Sequence, residues 1–220
     1  MFKTLNMRKI TVAVALSVML CLTACKKNES QTDEDPQEDS QILGRVLNGS
    51  DASKVRIEVF SDLECPACRE LFVTILQPVM RDYQDKVSVV YYEFPLSGHR
   101  YARRAAQYVA AASRLGQRQA LSVYEAIFTD QVYWAADGRL EDSVSRALSN
   151  EDFMRTIQIL NNENSLNEIN EAIEKELQLG MRKGVTATPT VFISYDGRQQ
   201  KVEGRPTYQV MKQFLDPLVK

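Results

Sequence analysis

Residues 61–71 read SDLECPACREL, so Cys65 and Cys68 stand two residues apart with Pro66 directly after the first. Thiols at that spacing can exchange with other disulfides, supply half of a metal site, or staple the chain to itself. Exchange needs one thiolate that attacks and a second thiol close enough to resolve the mixed disulfide. Two intervening residues at a helix start put one sulfur outside and the other one turn in. Cys65 then lies where free backbone N–H groups and the helix dipole favour negative charge. It is the candidate nucleophile, and Cys68 is the candidate resolving thiol. A staple across so short a loop would constrain the unfolded chain little. A structural zinc site wants four ligands. The chain has one histidine, His99, and no second CxxC, so no metal is expected.

Which chemistry applies depends on the compartment. The N-terminus opens with Lys3, Arg8 and Lys9, then runs uncharged and mostly apolar from Ile10 to Leu22. That run is shorter than the ~20 residues a spanning helix needs, and it fits the core of a secretory signal peptide. It ends in Leu22-Thr23-Ala24-Cys25, which resembles the bacterial lipobox. That resemblance implies cleavage of residues 1–24 and lipidation of Cys25, anchoring the chain outside the cytoplasm; an ordinary signal peptide that happens to contain a cysteine is the plainer reading. Of the four cysteines, Cys21 would go with the signal and Cys25 to lipid, leaving one pair where disulfides persist.

Residues 26–40, KKNESQTDEDPQEDS, hold no hydrophobe and six acids, so about 25–41 is expected to be a flexible tether. From residue 42 onward, 22 basic residues face 23 acidic ones. That balance gives no basic stripe for nucleic acid. The length suits one domain, 42–220, with a real core.

The pair must be held by regular elements. QILGRVL can form a short edge strand, and KVRIEVFSD a strand with Val55, Ile57 and Val59 on one face. A helix is expected from Pro66, with Leu71, Phe72, Ile75, Leu76 and Val79 on its apolar side and a kink at Pro78. KVSVVYYEF reads as a buried parallel strand. From His99 to Leu179 the pattern is helical, with Gly116 as a stop. TVFISYDGRQQKVEG reads as a hairpin turning at Asp196-Gly197, and Pro206 as the first residue of a last helix.

Strand–helix–strand, a helical block, then hairpin–helix resembles the thioredoxin fold of the DsbA family of exported thiol-disulfide oxidoreductases. VFSDLECPACREL, YYEFPLSGHRYARRAAQYVAAA and GVTATPTVFI resemble three of its motifs in order. The resemblance implies an α/β fold with a helical insertion over about 99–180. It implies a redox-active Cys65–Cys68 disulfide in place of any cofactor. It further implies a cis peptide before Pro189, with Thr188 offering backbone groups to an extended substrate; a plain loop is the alternative. By the same resemblance Glu58 could lie under the cysteine pair and relay protons to Cys68, or else be a solvent-facing acid. His99 is read as a structural or capping residue. Expected partners are exported cysteine-containing clients and a membrane redox partner of DsbB or VKOR type.

The pair encloses Pro66-Ala67, where strong oxidants of the family have Pro-His, and Glu64 precedes it. A close like charge would raise the Cys65 pKa. A weaker oxidant is therefore expected, with net oxidation still favoured. An anchored reductant and a non-catalytic binding module remain the other readings.

Overall fold

The computed structural model describes residues 44–202 and 206–220. The signal segment 1–24, Cys25 and the tether fall outside the described residues. A five-stranded sheet is formed by β1 (Arg45–Asn48), β2 (Val55–Ser61), β3 (Val87–Glu93), β4 (Thr190–Tyr195) and β5 (Arg198–Val202), in the order β1-β3-β2-β4-β5. Only β2 and β3 run parallel, from Val55 opposite Val87 to Ser61 opposite Glu93. Every residue of β3 is buried, as a strand covered on both faces requires.

The crossover between β2 and β3 is one helical run with an irregular middle. It comprises α1 (Pro66–Leu71), a π-helical stretch (Phe72–Leu76) and α2 (Gln77–Tyr83). The sequence suggests a kink at Pro78; the structure widens the preceding turn instead. Gln77 donates its N–H to the carbonyl of Phe72, five residues back. Pro78 has no N–H to continue the ordinary ladder, and the wider turn absorbs that loss before it arrives. The π stretch puts Phe72, Ile75 and Leu76 into the core. There the Phe72 ring stacks on Phe128 at 4.8 Å and meets Tyr91 edge-on at 6.1 Å.

The helical insertion lies between β3 and β4 and comprises α3 (Ala102–Ser113), α4 (Gln117–Thr129), α5 (Gln131–Asp137), α6 (Leu140–Ala147), α7 (Asn150–Asn161) and α8 (Glu163–Arg182). The early alanines Ala105, Ala106, Ala111 and Ala112 are fully buried. Their small side chains let α3 pack closely among its neighbours. In the short α5, Trp134 is buried and donates to the Ile127 carbonyl at 2.7 Å. α8 runs through Gly180 rather than stopping there. A Cβ at Gly180 would lie 2.6 Å from the Phe94 ring, so this glycine permits a close approach.

The hairpin turns at Asp196 and Gly197, both at positive φ (48° and 70°), as a two-residue turn of this kind requires. The last helix, α9 (Tyr208–Leu218), begins later than Pro206. Thr207 is its N-cap, with its hydroxyl accepting from the Val210 N–H at 3.3 Å.

The sheet has two differently furnished faces. Ile57, Val59 and Tyr91 belong to the large core shared with α1, α2, α4 and α9. Phe60, Tyr92 and Phe192 belong to a smaller cluster completed by Phe94, Leu179 and Val185.

Candidate active site

Cys65 ends the loop after β2 and is the N-cap of α1, with extended backbone (φ −75°, ψ 121°). Pro66 follows at the first helical position, where its missing N–H costs nothing. The Cys65 carbonyl accepts from the N–H groups of Cys68 (3.1 Å) and Arg69 (3.2 Å), closing the first turn. Cys65 is 8% exposed and Cys68 is fully buried. The two are free thiols.

Their electrostatics differ sharply. The Cys65 thiol is lowered to about 5, chiefly by the hydrogen bond from the Cys68 thiol. Burial opposes this, while the backbone N–H groups of Cys68 and Ala67 and the side chain of Thr188 assist. Cys68 is driven far above the usual thiol range, first by burial and then by its bond to Cys65. One thiol is set to be an anion, and its partner is set to hold the proton.

The Thr188–Pro189 peptide is cis. The Thr188 carbonyl lies 3.6 Å from Cys65 Sγ, across 123 residues of sequence. Pro66 is exposed and Ala67 half-buried beside the pair.

Asp62, fully buried, organises the approach to the pair. Its carbonyl accepts from the Cys65 N–H at 3.1 Å, and its own N–H donates to Cys68 Sγ at 3.5 Å. Its carboxylate accepts from the N–H groups of Glu64 (2.7 Å) and Leu96 (2.7 Å) and binds His99 Nδ1 (2.8 Å). Gln131, at the start of α5, donates to the carbonyls of Leu63 (2.8 Å) and Cys65 (3.0 Å) from the other side. Arg69 adds a bond from Nε to the Phe128 carbonyl at 2.8 Å. The helical insertion therefore clamps the cysteine loop through side chains that sequence spacing could not connect.

The structure places the two acids beside the motif. The Glu64 carboxylate accepts the Tyr101 N–H at 2.6 Å, at the start of α3, so it is engaged by the helical insertion. For Glu58 the expectation is corrected. Glu58 does not lie under the cysteines. Side chains alternate along β2, so Glu58 shares the Phe60 face, where Lys183 (2.6 Å), Gln199 (3.0 Å) and Tyr92 (3.2 Å) bind it. It is buried, so it is not a solvent-facing acid either.

The polar groups on the cysteine face are Ser61, Tyr91 and Glu93. Ser61 lies beside Cys68 and favours its thiolate, and neither the Ser61 nor the Tyr91 hydroxyl has a partner of full hydrogen-bond geometry. Glu93 is fully buried and accepts from the Tyr124 hydroxyl. Burial pushes its carboxyl up to about 7, with Arg45 opposing and Glu176 reinforcing the shift. In the sequence, SDLE and YYEF show acids beside the motif but not which way they face.

Comparisons with known proteins agree with this geometry. A thioredoxin family model matches residues 42–217. A probable disulfide bond formation protein D of Bacillus cereus is 25% identical over 183 residues, covering 78% of this chain and 77% of the relative. The crystal structure of alpha-DsbA1 from Wolbachia pipientis superposes with a TM-score of 0.63 at 19% identity, over 82% of this chain and 95% of that one. BdbD from Bacillus subtilis, in its oxidised form, gives 0.63 at 19% identity, over 80% and 92%. The chain belongs to the thioredoxin family, with the DsbA-like fold of a helical insertion between the two halves of its sheet.

Proposed function

We propose that this DsbA-like thiol-disulfide oxidoreductase runs in the oxidising direction, on cysteine pairs of exported proteins. The observation that carries the reading is the asymmetry of the pair: Cys65 caps the N-terminus of α1, where backbone N–H groups favour its thiolate, while Cys68 is fully buried and held protonated by that burial. A stabilised thiolate favours the dithiol state, and so makes the disulfide state the better oxidant.

The chemistry follows from the placement of the two sulfurs. In the disulfide state a client thiolate attacks Cys65 Sγ, the more accessible sulfur. The Cys65–Cys68 bond breaks, and Cys68 leaves as a thiolate and takes up a proton. The client's second thiolate then attacks the client sulfur of the mixed disulfide. Cys65 leaves as the anion its surroundings favour. The client has lost two electrons and the pair has gained them. The backbone groups of Thr188 can pair with an extended client beside the reacting sulfur, which is the role proposed for the cis loop at Pro189. Pro66 and Ala67 form the surface the client meets.

Restoring the disulfide requires a membrane redox partner of DsbB or VKOR type. Cleavage before Cys25 and its lipidation would hold the chain at a membrane outside the cytoplasm, beside such a partner. Among the described residues no helix is long and apolar enough to cross a membrane.

The test is the redox state of Cys65 and Cys68 in growing cells, trapped by acid quench and thiol alkylation. A predominantly disulfide population supports an oxidase. A predominantly dithiol population would assign the chain to reduction of exported clients instead.

A further inference from the structure

His99 stands outside the chemistry derived above, yet its ring is bonded to the residue that holds both cysteines. We propose that His99 is a positioning residue for the redox pair: clamped to Asp62, its imidazolium supplies the positive charge that Pro66-Ala67 does not. The assignment deepens the redox role proposed above and rests on it.

The geometry is direct. Asp62 is fully buried, and both carboxylate oxygens are engaged, by two backbone N–H groups and by His99 Nδ1 at 2.8 Å. Among the described residues no other cation is bonded to this carboxylate. A buried carboxylate without a cation is costly. The backbone of the same residue is bonded to Cys65 through its carbonyl and to Cys68 Sγ through its N–H. One residue thus joins the imidazole to both ends of the pair. His99 lies in the wall of a surface cavity of about 520 Å³ lined by Phe94, Leu96, Arg103, Leu177 and Met181, so the clamp is within reach of solvent.

The charges around His99 favour its protonated form. The active-site loop presents Asp62, Glu64 and Cys65 to it, and all three raise its pKa against the effect of burial. From α3 comes Arg103, itself paired with Glu174 of α8 at 3.3 Å. Otherwise α8 presents the apolar Leu177 and Met181 to the cavity. A histidine raised by its partners contributes fully below its unfolded value and loses that contribution as pH rises through its folded value. Above that point the neutral imidazole can still donate from Nδ1 to Asp62, but Asp62 and Cys65 both lose a positive neighbour.

The experiment compares the wild-type dithiol protein with His99→Gln and His99→Lys. Gln keeps a donor for Asp62 without charge, whereas Lys restores a cation. The ultraviolet absorbance of the Cys65 thiolate is followed against pH, together with the equilibrium constant against glutathione and the melting curve. In His99→Gln the Cys65 midpoint should rise by about one unit. The glutathione equilibrium should move about tenfold toward the disulfide. His99→Lys should return both toward wild type, and the melting temperature, lowered in His99→Gln by the loss of the cation beside buried Asp62, should recover in His99→Lys. A wild-type midpoint in His99→Gln, or a midpoint in His99→Lys as high as in His99→Gln, would overturn the proposal. If His99→Gln does not fold, His99→Lys decides alone: a wild-type midpoint supports the assignment and a raised one overturns it. The titration reads Cys65 whether or not glutathione reacts. A wild-type pair that fails to exchange therefore counts against the proposed function, and the midpoints still judge His99.

Discussion

Two carboxylates are buried on opposite faces of the same pair of strands, and they are held in different ways. Glu58, on β2, is surrounded by Lys183 at 2.6 Å, Gln199 at 3.0 Å, Tyr92 at 3.2 Å and Arg56 at 3.6 Å. Glu93, on β3, has the neutral Tyr124 hydroxyl for its partner, while the nearby Arg45 is engaged at 2.9 Å by Glu176. The Glu93 carboxyl is pushed up to about 7 by burial. Burial by itself does not decide what an acid can do; the cations bonded to it do. The face with Glu58 is a satisfied ionic structure. The face with Glu93 also carries the cysteines and the unpartnered hydroxyls of Ser61 and Tyr91, and it is where protonation states are poised to change.

The contrast can be broken by substitution. The largest effect belongs to the cysteine face: Cys65→Ser should drop client oxidation to the background rate of glutathione alone while the protein stays folded, checked by a refolding assay on a reduced client. On the opposite face, Glu58→Ala should leave the Cys65 titration unchanged. It should cost about 2–3 kcal/mol in a denaturant titration, because Lys183 and Gln199 lose their shared acceptor.

Glu93→Gln sharpens the comparison through pH. An acid at about 7 in the fold against an ordinary 4.5 destabilises the protein increasingly as pH rises between those values. The neutral amide should therefore match wild type in acid. By pH ~8 it should exceed wild type by about 3 kcal/mol in thermal or denaturant unfolding. Equal stability of the two proteins at both pH values would show that Glu93 ionises freely. The smallest effect is expected for Glu64→Gln. Glu64 is spent on the Tyr101 N–H, so the Cys65 midpoint should move by less than about 0.3 units.

Much of this arrangement could be read from residue order. The alternation of Val55, Ile57 and Val59, the mostly apolar run of β3, the Asp196-Gly197 turn and the CxxC at a helix start are local signals, and the structure carries each of them. What local signals could not carry was facing and long-range closure. The family resemblance points Glu58 toward the cysteines, whereas its alternation with Val59 puts it on the other face. No local signal groups Asp62, His99 and Gln131, because 37 and 69 residues of chain separate the latter two from Asp62, and the helical insertion brings them together around the cysteine loop. The shift at Pro78 from a kink to a wider turn depended on how Phe72 packs, which no window around Pro78 contains.

The most direct test of the account is the reduction potential of the Cys65–Cys68 pair, equilibrated against glutathione across pH. With Cys65 ionised above about 5, one proton accompanies two electrons over the neutral range. The potential should then fall by about 30 mV per pH unit there and by about 60 mV per unit in more acid solution. At neutral pH it should lie above about −200 mV, as an oxidant requires. A value near −270 mV, of the order found for thioredoxin, with no break in slope on the acid side, would contradict both the stabilised thiolate and the oxidising role built on it.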